Sequence, residues 1–175
     1  MKIQEIELFQ VDIPPIPAIA KYMPKIFDLT LCRVITNEGL IGLGEAHGFP
    51  PDFEEAKQRL IGSDPLSIDP FTEEDPFECA LLDIAGQAAG LPLHRFFGKQ
   101  VRDRVPVSYW SRPMEPEETA AEAEVGARLG FTNHQLKARP WNVVETVRLM
   151  KEAVGSDYSV GLDPNQKFGE VHVAA

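Results

Sequence analysis

Residues 2–13 set Ile3, Ile6, Leu8, Val11 and Ile13 among polar neighbours, and this alternation predicts a strand. Pro14, Pro15 and Pro17 end it, because proline has no N–H to give to a ladder. Residues 14–27 then read as a loop, yet they carry Ile16, Ile19, Tyr22, Met23, Ile26 and Phe27. A loop this apolar either covers something or packs on its own domain. Two β-branched runs follow, at 29–36 and 40–46, with Asn37-Glu38-Gly39 between them. That is a hairpin signal, with Gly39 free to take positive φ. Residues 52–61 follow Pro50-Pro51 and predict a short helix ended by Gly62. Residues 63–76, rich in Asp, Pro and Ser, form a connector. Over 77–90, Ala80, Leu81, Ile84, Ala85 and Ala88 fall on one helical face, and Gly90 closes the helix. Up to Arg104 the chain therefore reads as a three-stranded meander followed by helices, an α+β domain.

The rhythm changes beyond Arg104. A short apolar strand is predicted at 105–110, an Ala- and Glu-rich helix at 116–129 ended by Gly130, a strand at 132–138, a helix at 141–154 ended by Gly155, and a strand at 158–162. Strands alternating with helices at this spacing predict βα units and a parallel sheet. A closed (β/α)8 barrel takes eight strands and typically about 250 residues. The chain has 175, so the expectation is an incomplete α/β barrel of the TIM type with about three strands present.

A formal charge of −10 argues against nucleic acid and anionic membranes as partners. An anionic small substrate stays open, because a bound cation inverts the local field. Cys32 and Cys79 are the only cysteines, lie in apolar settings and make no Cys-x-x-Cys, so both are expected to be buried reduced thiols. Glu5 and Glu7 stand where a signal peptide needs an apolar run, and no stretch reaches the roughly 20 apolar residues of a membrane span. The expected compartment is the cytoplasm.

In βα units functional side chains gather at the C-terminal ends of strands. The strand at 132–138 ends in Gln135-Leu136-Lys137-Ala138-Arg139, and alternation puts Gln135, Lys137 and Arg139 on one side of the pleat. An inward lysine is costly unless paired or neutral, and a desolvated one beside other cations can serve as a base. The plain alternative is a strand-end lysine reaching solvent. The next strand ends in Asp163-Pro164-Asn165, where an extended chain would put the carboxylate and the amide on one face. Such oxygens suit Mg²⁺; Asp-Pro-Asn is equally good turn chemistry. Glu45 and His47 follow the hairpin, either closing over a ligand or simply solvated. His94, His134 and His172 show no metal-ligand spacing, and there is no Gly-x-Ser-x-Gly, Walker loop or Gly-x-Gly-x-x-Gly.

Taken together, these segments resemble a known family. Within 77–104, Ala80, Asp83, Ala85, Gly86, Gly90, Pro92, Leu93 and Gly98 match the segment that joins the two domains of the enolase superfamily's mandelate racemase and muconate lactonizing enzymes. TNEGLIGLGEA at 36–46 resembles that family's meander, GLDPNQ at 161–166 its third barrel strand, and Gln135 to Lys137 falls on its Lys-x-Lys. The resemblance implies a capping domain over 1–104 and the first βα units of a barrel over 105–175. It implies Mg²⁺, a small carboxylate substrate, removal of its α-proton by a Lys or His base, and a metal-stabilised enediolate. By position, Lys137 is the base, Asp163 the first of three carboxylate ligands, and Asn165 its site-facing partner. Gln135 and Arg139 stand beside the base. Tyr22, in the loop 14–27, and Glu45, in the turn 45–49, sit in the capping-domain loops that set substrate choice.

Three departures stand out. Gln135 replaces the first lysine and adds no charge. The connector is shorter than usual. The chain stops just after the third strand, so the expectation is an inactive piece of a larger enzyme. Dehydration of an acid sugar leads as the reaction, with racemisation and cycloisomerisation as rivals and a homo-oligomer as the expected assembly of the parent. The competing reading is a non-catalytic binding module built on the capping domain.

Overall fold

The computed structural model describes residues 1–23 and 27–169. It contains two compact units, Met1–Asp103 and Arg104–Ala175, each with its own core.

In the first unit β1 (Ile3–Ile13), β2 (Phe27–Thr36) and β3 (Ile41–His47) form an antiparallel sheet in that order. The register of β1 shifts between Ile3 and Glu5. This bulge explains why Ile3 and Ile6, three apart, are both buried. Ile6, Cys32 and Val34 then face the core. The turn between β2 and β3 places Gly39 at φ 86° and closes with its N–H donating to the Thr36 carbonyl at 3.1 Å.

Helix α2 (Phe53–Leu60) buries Ala56 and Leu60. Helix α3 (Phe77–Ala89) buries Phe77, Ala80, Leu81, Leu82 and Ile84 and ends in a left-handed Gly90. It lies directly on β3, because Gly42 and Gly44 offer no side chain there. A Cβ at Gly42 would come within 2.1 Å of the Ala80 carbonyl oxygen, and one at Gly44 within 1.9 Å of that of Pro76. The helix also covers the sheet edge. The Leu43 N–H donates to Asp83 Oδ2 at 2.9 Å, and Gln87 Nε2 donates to the Ile41 carbonyl at 2.7 Å. Asp83, matched above as a family residue, thus has a structural task.

Several expectations are corrected here. Residues 14–27 hold a short helix, α1 (Pro17–Ala20), with Ile19 buried, while Pro24, Lys25 and Ile26 lie outside the described residues. The connector holds two 3-10 turns, Pro65–Ser67 and Pro70–Thr72, each opened by an aspartate that accepts the N–H two residues on at 3.1 Å. Ala88 is exposed, one turn beyond the last buried face of α3. Cys79 is exposed as well, since it points off the face that carries Phe77, Ala80 and Leu81. Cys32 is buried, and burial pushes its thiol up to about 12. A four-residue helix, α4 (His94–Phe97), follows.

In the second unit β4 (Tyr109–Ser111), β5 (Asn133–Lys137) and β6 (Ser159–Asp163) pair in parallel in that order. The first strand is shorter than 105–110. Val105 and Val107 are exposed, and Pro106 between them has no ladder donor. Helices α5 (Pro116–Arg128) and α6 (Val143–Val154) supply Ala120, Ala123 and Met150 to a core that includes Leu136 and Tyr158. This is the βαβαβ opening of a TIM-type barrel. No described helix is long and apolar enough to cross a membrane.

Candidate functional site

Strand β5 divides its residues between two faces. His134 and Leu136 are fully buried on the side that carries the helices, whereas Asn133, Gln135 and Lys137 are half-buried on the other. The parallel register places Lys137 opposite Asp163 and Gln135 opposite Gly161. Lys137 Nζ donates to Asp163 Oδ2 across the strand ends. The other carboxylate oxygen, Oδ1, accepts the Asn165 N–H at 3.0 Å. These two donors, the lysine first, together with the charges of Lys137 and Arg139, hold the Asp163 carboxyl below the usual carboxylate range.

Asn165 serves this site through its backbone. The strand ends at Asp163, because Pro164 cannot continue a ladder, and Asn165 and Gln166 turn with φ of 46° and 62°. An extended Asp163–Asn165 pair sharing one face is therefore corrected to a turn that ties the N–H of Asn165 to the carboxylate. Arg139 lies past the end of β5, with Nη1 donating to the Ala138 carbonyl at 2.7 Å. Gln135 lies flat over Gly161, where an added Cβ would stand 2.7 Å from its Oε1. Its amide has no hydrogen bond to another described residue.

Sequence reading passed over two features of this unit. Arg112 follows β4 and stacks its guanidinium over the Trp110 ring at 5.6 Å. Trp110 is the register partner of Gln135, hence on the lysine's face. The signal available was position: Arg112 stands at a strand end, as Lys137 and Asp163 do. The second feature is His134, buried, with Nε2 2.7 Å from Ser111 Oγ and burial pushing it down to about 4. It faces the helices with Tyr109 and Tyr158, away from Lys137.

The remaining candidates belong to the first unit. Tyr22 is half-buried, with Lys21 Nζ 4.7 Å from its ring centre. Glu45 is exposed on β3 opposite Leu31, and His47 is exposed at the end of that strand. A groove of about 500 Å³ between α3 and the 3-10 turns is lined by apolar residues such as Leu66, Phe71, Leu82 and Phe96 and holds no titratable group. The polar convergence lies instead at the ends of β5 and β6. His172 is outside the described residues.

A metal would meet an ionised, hard oxygen ligand at Asp163, which suits Mg²⁺. Among the described residues no three His, Cys, Asp or Glu side chains gather to hold an ion. The described part therefore fits one position of a magnesium shell.

No protein-family model matches the chain. It is 30% identical to a cis-3-hydroxy-L-proline dehydratase from Roseibium aggregatum, over 78% of this chain and 45% of that protein. A muconate cycloisomerase structure from Pseudomonas fluorescens superposes with a TM-score of 0.73 at 27% identity, over 99% of this chain and 54% of that one. A dipeptide epimerase from Enterococcus faecalis V583, complexed with Mg and the dipeptide L-Leu-L-Tyr, superposes with a TM-score of 0.74 at 24% identity, over 95% of this chain and 55% of that one. The chain spans about half the length of the curated relatives it matches.

Proposed function

Because this chain belongs to the enolase superfamily, we propose that it carries the base and one metal ligand of a Mg²⁺-dependent enolisation of a small carboxylate substrate. The observation that carries this reading is the register pairing of Lys137 with Asp163 at the C-terminal ends of adjacent parallel strands. In the proposal Lys137 Nζ, as the neutral amine once a cation takes its place at Asp163, accepts the α-proton and becomes the ammonium. Asp163, aimed by the Asn165 N–H, is one of the metal's carboxylates. Bound Mg²⁺ would neutralise charge on the substrate carboxylate as the α-carbon loses its proton. Gln135 lends a neutral amide beside the base, and Arg139 adds positive charge near Asp163.

Dehydration of a hydroxy acid such as an acid sugar is the leading reaction, supported by the dehydratase among the relatives. Racemisation is the rival, supported by the N-succinyl-L-Arg/Lys racemase among the relatives. Residues 1–104 are read as the capping domain, with Tyr22 and Glu45 on its substrate-selecting loops, and 105–175 as the first βα units of the barrel. A cytoplasmic homo-oligomer completes the proposal.

The test is exchange of the substrate α-hydrogen with D₂O, followed by proton NMR over a panel of α-hydroxy acids with Mg²⁺ and with this chain joined to the remaining barrel half of a relative such as the cis-3-hydroxy-L-proline dehydratase; the chain alone, with one carboxylate toward a metal, is expected to show no exchange. Exchange is expected to need the metal, to vanish in Lys137→Met and to fall at least about 100-fold in Asp163→Asn. Exchange that survives Lys137→Met sinks the assignment of the base. Tight binding of an acid by the protein, with no exchange at any pH and no response to Mg²⁺, would favour the non-catalytic module.

A further inference from the structure

We propose that the apolar groove of the first unit is the docking surface for a second copy of this chain, with the two α3 helices antiparallel across a two-fold axis. The proposal rests on the reading above only for the homo-oligomer named there, and it uses neither Lys137 nor Asp163.

The groove is open and apolar. Its floor is the face of α3 that carries Leu81, Leu82, Ala85 and Ala88. The 3-10 turns form one wall with Leu66 and Phe71, and Phe96 of α4 stands on the groove as well. Phe97 meets Phe71 edge-on, with 6.0 Å between ring centres. Phe71, Phe96 and Phe97 are 63%, 48% and 60% exposed, and Leu66 is 54% exposed. At roughly 200 Å² for a phenylalanine, the three rings alone show roughly 340 Å² of apolar surface. A patch of that size on one chain marks a contact site.

Charge names the occupant. At the N-terminal end of α3 stand Glu74, Asp75 and Glu78, and Glu78 lies one turn ahead of Leu81 and Leu82 on the groove face. Past the C-terminal end stand Arg95, Lys99 and Arg102, all exposed, with Asp103 the one acid beside them. Asp83 and Gln87 fall between the two ends but are bonded to the edge of β3, on another side of the helix. The groove face therefore runs from an acidic end through a neutral middle to a basic end. A partner of one charge sign would fit one end and be repelled by the other. A second α3 laid antiparallel fits both, since acidic end meets basic end twice and the neutral middles meet each other. A two-fold axis makes both contacts from one surface. The charges set direction and speed the encounter, and the apolar middle supplies the affinity. With its charged ends the face reaches roughly the 600 Å² per partner of the smaller specific interfaces.

Sedimentation equilibrium of the full chain is the test. A dimer is expected at about 100 µM protein in about 50 mM NaCl, and at least about fivefold weaker association in about 500 mM NaCl, where the end charges are screened. Ala88 is exposed, so Ala88→Arg spares the core of the unit and puts a bulky cation in the middle of the contact; it should sediment as a monomer. Charge reversal reads the antiparallel fit. Glu74→Lys with Glu78→Lys makes both ends basic, and Arg95→Glu with Lys99→Glu makes both acidic. Each double variant should be monomeric alone, and their equimolar mixture should recover the dimer. Circular dichroism checks that the variants fold. A parent that stays monomeric at about 100 µM overturns the proposal. So does a dimer that survives Ala88→Arg, a double variant that dimerises alone as the parent does, or a mixture that stays monomeric. Sedimentation does not register α-hydrogen exchange, so the enolisation reading stands or falls separately.

Discussion

Acidification should destabilise the second unit through one residue, His134. The imidazole is fully buried on the helix side of β5, bonded by Nε2 to Ser111 Oγ at 2.7 Å, with Nδ1 unpartnered among the described residues. Burial lowers its pKa from 6.5 to about 4. The groups facing it are the rings of Tyr109 and Tyr158, both raised by burial and uncharged throughout the range, and no carboxylate is among them. Below pH 6.5 the unfolded chain binds a proton at this residue that the native state refuses until about pH 4. The unfolded state therefore holds more protons in that window, and stability falls as pH falls. The drop from 6.5 to about 4, at about 1.4 kcal/mol for each tenfold in proton affinity, amounts to about 3.5 kcal/mol, fully present above pH 6.5, and about 3 kcal/mol of it is lost by pH 4. Both tryptophans, Trp110 and Trp141, lie in this unit, so urea unfolding followed by tryptophan fluorescence reads it selectively. Measured from pH 7.5 to 4, the parent should lose about 3 kcal/mol more than His134→Phe, in which titrating carboxylates contribute equally. Parallel profiles for the two proteins would refute the argument.

Three further outcomes follow from the same coordinates. Gly42→Ala should cost about 3 kcal/mol or more in the first unit, because its Cβ meets the Ala80 carbonyl at 2.1 Å and backbone cannot yield as a side-chain tip can; amide exchange along α3 would show it, and native-like protection would contradict it. Asp83→Ala should speed exchange of the Leu43 amide in particular, since it removes the acceptor at 2.9 Å on the open edge of β3; uniform loss across the unit would point to simple unfolding instead. A thiol reagent should modify Cys79 in the native protein and reach Cys32 only on unfolding, so two fast thiols would contradict the burial of Cys32.

Much of this was legible because periodicity reports which side of an element is dry. The meander, α3 and the βα order follow from it. What failed did so where a second constraint acted on the same residues. Val105 and Val107 alternate like a strand, but Pro106 withholds the donor that pairing needs. Ile3 and Ile6 break the period of two because a bulge absorbs one residue. Cys79 reads as apolar and sits one position off the buried face of its helix. At the site, Lys137 and Asp163 could be named from their positions. Arg112 could not, because a stack on Trp110 and the lack of a carboxylate are properties of space, not spacing.

The division of β5 ties stability to chemistry in a single short strand. His134 and Leu136 take the helix side, where a charge would be desolvated, and the histidine accordingly stays neutral far below its normal range. Gln135 and Lys137 take the half-buried side left without helices, where Lys137 Nζ reaches the Asp163 carboxylate. A one-residue slip of β5 would exchange these roles, putting the lysine among Ala123, Met150 and Tyr158. The cost of that burial defends the register, and the register is what sets Lys137 against Asp163. The proposed base is thus aligned by the same penalty that keeps it out of the core, and Gly161 serves the arrangement by leaving the Gln135 amide room to lie across β6.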